Sequence, residues 1–468
     1  MRTAGVLIGA LLALAGTPAL AQQDYAAAEA DRQAMLRQLG IEATRPGANG
    51  LDPRAPNAAN YVEAKAVMAG PLPDLMTLAD GTRATTAKQW WAARRPEIVE
   101  LFDREIYGRV PATAPKIAWK LVKQESATEA GMPVVRKWLE GTADNGAWPQ
   151  AKAAIALRYT LPAGARGRVP VILSFGIPEG FRFPGPPRPP EPGTPYTEQL
   201  LARGFGHAVV VASSIQADDG GLLGDGVIGI SLRGRPRGPE DWGVLRAWAW
   251  GAGRAFDALA MDKAVDAGRI GIEGLSRYGK AALVAMAYDR RFAIGFVGSS
   301  GAGGAALYRR NFGERMGNLC AGGEYHWFAG NFLEYCGTLT EADLPIDSHM
   351  LIALAAPRPI FLGAARSRPA TAGSIPKAAS SPPPPRRPSG SCSAGRGSAR
   401  RNSRRCSSPR SKARSAGAST KAATTTATTG RPSSASPRRD WASASDNGTL
   451  KPQGCKCRRA TALIVRKL

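Results

Sequence analysis

Apolar positions recur along this chain at two different spacings, and the change between them divides it. From Asp24 to Leu39, Ala, Leu and Met return every third or fourth residue, the spacing of a helix with one apolar stripe. A loop rich in Pro, Gly and Asn follows to about Asn60, and Thr86–Ile106 reads as a second helix ending near Tyr107-Gly108. From Ile117 the pattern changes. Ala153–Tyr159, Val169–Ser174, Ala208–Ala212, Arg269–Glu273, Ile294–Gly298 and Pro359–Leu362 are short apolar runs bounded by turn residues. Trp242–Ala267 and Lys280–Tyr288 lie between such runs and read as crossover helices. Apolar strands alternating with helices predict an α/β fold, a mostly parallel sheet with helices on both faces. Pro178–Pro195, dense in Pro and Gly, has to run over the surface.

The first residues have a different purpose. Met1-Arg2 supplies a positive start, Ala4–Ala15 an apolar run, and Ala19-Leu20-Ala21 an A-x-A cleavage signal. This predicts a secretory signal peptide over residues 1–21, since the apolar run is too short to anchor in a membrane. The mature protein is then secreted or periplasmic, with no membrane contact. The expected organisation is a signal peptide (1–21), a helical extension packing on the catalytic domain (22–115), an α/β catalytic domain (116–363) and a tail (364–468).

Charge changes the picture only at the C-terminus. The chain holds 62 Lys and Arg against 37 Asp and Glu, a net charge of +25 that by itself suggests a nucleic-acid partner. Residues 364–468 hold 23 of the basic and 2 of the acidic residues, which leaves 39 against 35 in the preceding 363. The body is therefore almost neutral, and no nucleic-acid groove is expected in it. The tail is rich in Ser, Arg, Pro, Ala and Thr, and it cannot bury a core. It reads as a basic arm for anionic polymers, as a disordered tail, or as an out-of-frame translation that has replaced the true C-terminus. The third reading fits best: the change is abrupt, it falls just after an apolar strand, and the composition suits random GC-rich codons. Six cysteines fit an oxidising compartment. Only Cys320 and Cys336 lie in the body, where they either pair or stay as buried thiols. No metal-ligand spacing is present.

The candidate chemistry centres on Gly274-Leu275-Ser276-Arg277-Tyr278-Gly279-Lys280, directly after one apolar strand and directly before a helix. That is the setting of a nucleophile elbow, in which a serine sits on a tight strand-to-helix turn. A small residue at Gly274 lets strand and helix approach, and the Arg277 N–H opens the helix where its dipole favours an oxyanion. The second Gly lies one position later than in the usual G-x-S-x-G, and a serine here can also be a plain helix cap. Lys280 lies one turn after Ser276, so both can face one pocket.

In these residues the sequence resembles the glucuronoyl esterases, carbohydrate esterase family 15, which are α/β-hydrolases with a G-x-S-R-x-G-K motif. The resemblance runs from Leu72 to Gly363 and has further blocks. Trp242-Gly243 with Trp248-Ala249-Trp250-Gly251 precedes the elbow, and Ser299-Ser300-Gly301-Ala302-Gly303-Gly304 follows the next strand. Glu324-Tyr325-His326-Trp327-Phe328 matches an E-x-x-W-F block, and Leu344–Pro359 leads into a late strand. The resemblance implies a serine carboxylester hydrolase that needs no cofactor or metal. Its substrate would be the ester between glucuronoxylan and lignin alcohols, and the enzyme a monomer. Ser276 would be the nucleophile and Arg277 an oxyanion stabiliser, while Lys280 and Glu324 would hold the sugar hydroxyls. Trp327 reads as packing. The plain alternatives are a solvated Lys280 and a surface Glu324.

The triad is incomplete in this sequence. The family's histidine lies beyond the last strands, where this chain has its tail, and no histidine follows His349. His207 reads as structural, His326 belongs to the E-x-x-W-F block, and His349 stands where the family's residue is not the base. Some members carry Glu at the position of Ser299, so no acid is identifiable either. Removing a triad member costs on the order of 10⁴–10⁶ in rate, and the chain as written is expected to be nearly inactive. Two rival functions remain: an esterase for acetyl groups on xylan, and a non-catalytic protein binding polyanions through its tail.

Overall fold

A computed structural model describes residues 25–181 and 193–364. The expected signal peptide, the middle of the Pro-rich loop and the tail beyond Ala364 lie outside the described residues. Eight strands form one sheet: β1 Ile117–Glu129, β2 Met132–Ala143, β3 Ala154–Pro162, β4 Val169–Gly176, β5 Gly206–Val211, β6 Val265–Leu275, β7 Gly295–Gly298 and β8 Ile360–Gly363. Their order is β1-β2-β3-β5-β4-β6-β7-β8. The half from β5 to β8 is parallel throughout, and β1, β2 and β3 are antiparallel to their neighbours. Each apolar run predicted as a strand overlaps one of the eight. The mostly parallel α/β fold is therefore the one the pattern predicts.

The β1–β2 hairpin is the exception, since nothing in the apolar pattern marks it. β1 has no clean alternation of buried and exposed residues, and Leu121 and Val122 are both exposed. The turn Ala130-Gly131 has φ of 50° and 76°, the left-handed geometry that matches the twist of a two-residue hairpin.

The second predicted helix runs continuously from Ala87 to Tyr107, with π-helical turns at Trp90–Arg94 and Asp103–Tyr107. Thr86 starts it with a capping box shared with Gln89. The crossover helices are Val244–Met261 and Arg277–Tyr288. The second is buried on every side from Gly279 to Ala287, which is why it reads as a short apolar run rather than a stripe. Trp248 on the first helix is fully buried, and its Nε1 donates to the Gln216 carbonyl (2.9 Å).

Three long-range ties fix the segment after β7. Cys320 and Cys336 form a disulfide, which settles the alternative left open by their spacing. The N-terminal helix Tyr25–Leu39 braces that loop: Arg32 Nε donates to the Cys320 carbonyl (2.7 Å), and Asp31 accepts from the Tyr325 hydroxyl (2.8 Å). A Cβ on Gly243 would lie 2.3 Å from the Trp327 carbonyl oxygen, so the Trp-Gly block and the E-x-x-W-F block meet at a glycine. On one sheet face Leu275, Phe296 and Phe361 remain exposed, with the two Phe rings stacked at 5.5 Å. No helix of the described residues is long and apolar enough to cross a membrane.

Candidate active site

Ser276 sits between the end of β6 and the start of helix Arg277–Tyr288 with φ 59° and ψ −127°. A left-handed φ at a non-glycine is costly, roughly 1–3 kcal/mol, and persists only where its surroundings impose it. Here they do. The Ser276 N–H donates to the Gly298 carbonyl (2.9 Å), and its own carbonyl accepts from the Lys280 N–H (3.0 Å). A Cβ on Gly274 would stand 2.1 Å from the Tyr278 carbonyl oxygen, and one on Gly279 2.6 Å from that of Gly298. The two glycines thus allow β6, the helix and β7 to close around the turn. This explains why the second glycine can stand one position later than usual. The residue at 278 points elsewhere: the Tyr278 ring packs on Phe175 and Trp248. Ser276 itself is exposed, at the carboxyl end of a central parallel strand, where α/β sheets place their ligands.

Arg277 heads the helix beside it. Its guanidinium lies 5.2 Å from the centre of the Trp327 indole and donates through Nη1 to Asp218. Asp218, which the sequence pattern did not single out, is the hub of this corner. Its Oδ1 also accepts from Trp327 Nε1 (2.6 Å) and pairs with His326 Nε2 (3.0 Å). Burial pushes the Asp218 carboxyl up, but the His326 hydrogen bond, the Arg277 charge and the Trp327 N–H outweigh it and hold it at about 2. Asp218 therefore fixes both the Arg277 guanidinium and the Trp327 indole.

Lys280 is buried, and its ammonium has three acceptors: the carbonyls of Ser300 (2.8 Å) and Ala302 (2.5 Å) and Glu314 Oε2 (2.9 Å). Any further acceptor reaching this ammonium has to share or displace one of them. Nζ also lies 5.6 Å from the Trp327 ring centre, so that indole is flanked by both cations of the motif. Glu324 behaves in the opposite way. Its Oε2 is buried with no hydrogen-bond partner among the described residues. Burial and repulsion from Glu314 push its carboxyl up to about 7, against the opposing pull of Lys280 and Arg277. The structure thus brings Arg277, Lys280 and Glu324 into one electrostatic neighbourhood and adds Asp218 and Glu314 to it.

All three histidines of the chain lie in the described residues. His207 Nε2 pairs with Glu129 (2.9 Å), His326 with Asp218, and His349 Nε2 with the Pro73 carbonyl (3.0 Å). Ser299 follows β7 at φ 44°, its N–H bonded to the Gly363 carbonyl (2.7 Å).

The model of the family "Glucuronyl esterase, fungi" matches residues 237–375. The chain is 34% identical to carbohydrate esterase MZ0003, from an unknown prokaryotic organism, over 66% of this chain and 76% of that one. It is 30% identical to a 4-O-methyl-glucuronoyl methylesterase of Podospora anserina, over 63% of this chain and 55% of that relative. Among solved structures, a CE15 glucuronoyl esterase from Teredinibacter turnerae superposes with a TM-score of 0.66 at 40% identity, covering 72% of this chain and 81% of the other. A glucuronoyl esterase from Solibacter usitatus gives 0.57 at 35% identity, covering 66% and 82%.

Proposed function

The chain belongs to the glucuronoyl esterases, the carboxylic ester hydrolases of carbohydrate esterase family 15, and from that membership we propose the reaction for which it is built. Its substrate is an ester of glucuronic acid, the linkage between lignin alcohols and the uronate side groups of xylan. Ser276 Oγ attacks the ester carbonyl carbon and the alcohol leaves with a proton. Water then cleaves the acyl-enzyme and releases the uronate. The observation that carries this reading is the strained Ser276 turn, with Arg277 opening the helix that follows it. The helix N-terminus and the Arg277 guanidinium stabilise the oxyanion, and Asp218 holds the guanidinium in place. Lys280 and Glu324 orient the sugar: the buried, unpartnered Glu324 Oε2 is an acceptor waiting for a hydroxyl donor.

The chain as written lacks a base for Ser276 and turns over slowly. Two observations support this. Each histidine is engaged with a partner other than Ser276. The face carrying Leu275, Phe296 and Phe361 is uncovered among the described residues, and the composition of 365–468 offers no apolar helix to cover it. A shifted reading frame after Gly363 accounts for both. The protein is exported and monomeric.

The test uses the gene with its frame restored after the Gly363 codon. A benzyl glucuronate ester should be cleaved faster than nitrophenyl acetate, and Lys280→Ala should slow only the former. Faster acetate cleavage, insensitive to Lys280→Ala, sinks the glucuronoyl assignment in favour of an acetyl esterase.

A further inference from the structure

Helix Val244–Met261 carries Arg246, Trp250 and Arg254 four residues apart, which puts them on one side of the helix. Trp250 is part of the block that precedes the elbow, and none of the three belongs to the site at Ser276. They line a cleft against the far end of helix Arg277–Tyr288, together with Tyr288, Asp289 and Arg291. That helix has 12 residues, so the cleft lies roughly 18 Å from the elbow along its axis.

The cleft is a set of guanidiniums laid on aromatic rings. Arg246 lies 3.6 Å from the centre of the Tyr288 ring, and Arg254 lies 5.5 Å from that of Trp250. Arg291 is committed, through hydrogen bonds to Asp289, Asp257 and the Gly253 carbonyl. Arg246 and Arg254 are held more loosely. Among the described residues neither makes a hydrogen bond, and the buried Nε of each has only an ion pair. Their nearest carboxylates are Asp103, 3.7 Å from Arg246, and Asp257, 3.2 Å from Arg254.

Further positive charge lies close by. Arg95 and Arg290 stand 5.5 and 4.1 Å from the Trp91 ring centre. With Arg358 they form no ion pair among the described residues. Burial and the Arg95 and Arg290 charges push the Arg358 guanidinium down to about 10. Three guanidiniums thus line the cleft and three more stand near it, and the terminal amines of Arg246 and Arg254 make no hydrogen bond among the described residues. A guanidinium stacked on a ring keeps its in-plane N–H fork for a carboxylate.

We propose that this cleft is a second binding site, which takes the carboxylate of a uronic acid residue and so holds an acidic polysaccharide away from Ser276. The choice of uronate rests on the function proposed above; the anion site itself does not. The two guanidiniums grip the carboxylate, and Trp250 offers an apolar surface to the sugar ring.

The test is calorimetric titration of the full chain with glucuronate, glucose and sulfate. Wild type and Glu324→Gln should both bind glucuronate at this cleft, and neither should bind glucose there. Arg246→Gln with Arg254→Gln should weaken that event at least tenfold, and Arg254→Gln alone should weaken it partly. Circular dichroism should be unchanged in both. A folded double variant that titrates like the wild type overturns the proposal. Sulfate binding that depends on these arginines, without glucuronate binding, overturns the uronate assignment and leaves the reaction at Ser276 untouched.

Discussion

Glu324→Gln should stabilise this protein, although it removes a residue placed in the active site. The Glu324 carboxyl ionises at about 7 in the folded protein against an ordinary 4.5. The native state therefore binds more protons than the unfolded state between these values, and stability falls as pH rises from 4.5 through 7. The shift of about 2.5 pH units corresponds to about 3 kcal/mol at full weight. Solvent around the half-buried carboxyl screens this to about 1–2 kcal/mol. Gln keeps the shape, cannot ionise, and ends the repulsion with Glu314. Above pH 7 the variant should therefore melt about 2–8 °C higher than the parent, and at pH 4.5 the two should melt together. Thermal melts followed by circular dichroism at pH 4.5, 6, 7 and 8.5 give the profile. A destabilised variant at pH 8.5, or a stabilisation independent of pH, refutes the assignment of Glu324 as a strained carboxylate. The same change should weaken sugar binding, the usual exchange of stability for function at a site.

Asp218→Asn should cost about 2 kcal/mol at pH 7, from a carboxyl held nearly two units low. That stability is complete above pH 3.8 and is lost as pH falls through about 2, so urea melts of variant and parent should converge in acid. Reducing the Cys320–Cys336 bridge, which spans 16 residues, should cost about 3 kcal/mol, read as a lower melting temperature in dithiothreitol. Gly274→Ala sets a Cβ against the backbone of Tyr278 and should abolish soluble expression or open the elbow. A variant that folds with parental stability contradicts the close approach inferred there.

Periodicity and short apolar runs disclosed most of the architecture because the central strands and the elbow helix are buried and leave no polar phase. Val171, Leu173, Ile270 and Ile272 are essentially inaccessible, and each lies in a run visible in the chain. The β1–β2 hairpin was not legible, since its strands are half solvated and its residues have little to bury. The elbow was legible because its chemistry is contiguous, from Gly274 to Lys280. Asp218 and Glu314 were not, because loops without any repeat bring them to the site from 58 and 38 residues away along the chain. The only trace of the first was an acidic pair followed by glycines, Asp218-Asp219-Gly220-Gly221, which by itself says no more than a turn. The cleft on helix Val244–Met261 left a clearer mark, Arg and Trp at every fourth position, but its meaning depends on Tyr288 and Arg291 from another element.

The reaction depends on one hydroxyl being a nucleophile. The most direct measurement is treatment of the frame-restored protein with a fluorophosphonate, followed by peptide mass spectrometry. The adduct should fall on Ser276 and form far more slowly in the chain that carries the present tail. An adduct on a different residue, or none in a folded and complete protein, contradicts the account.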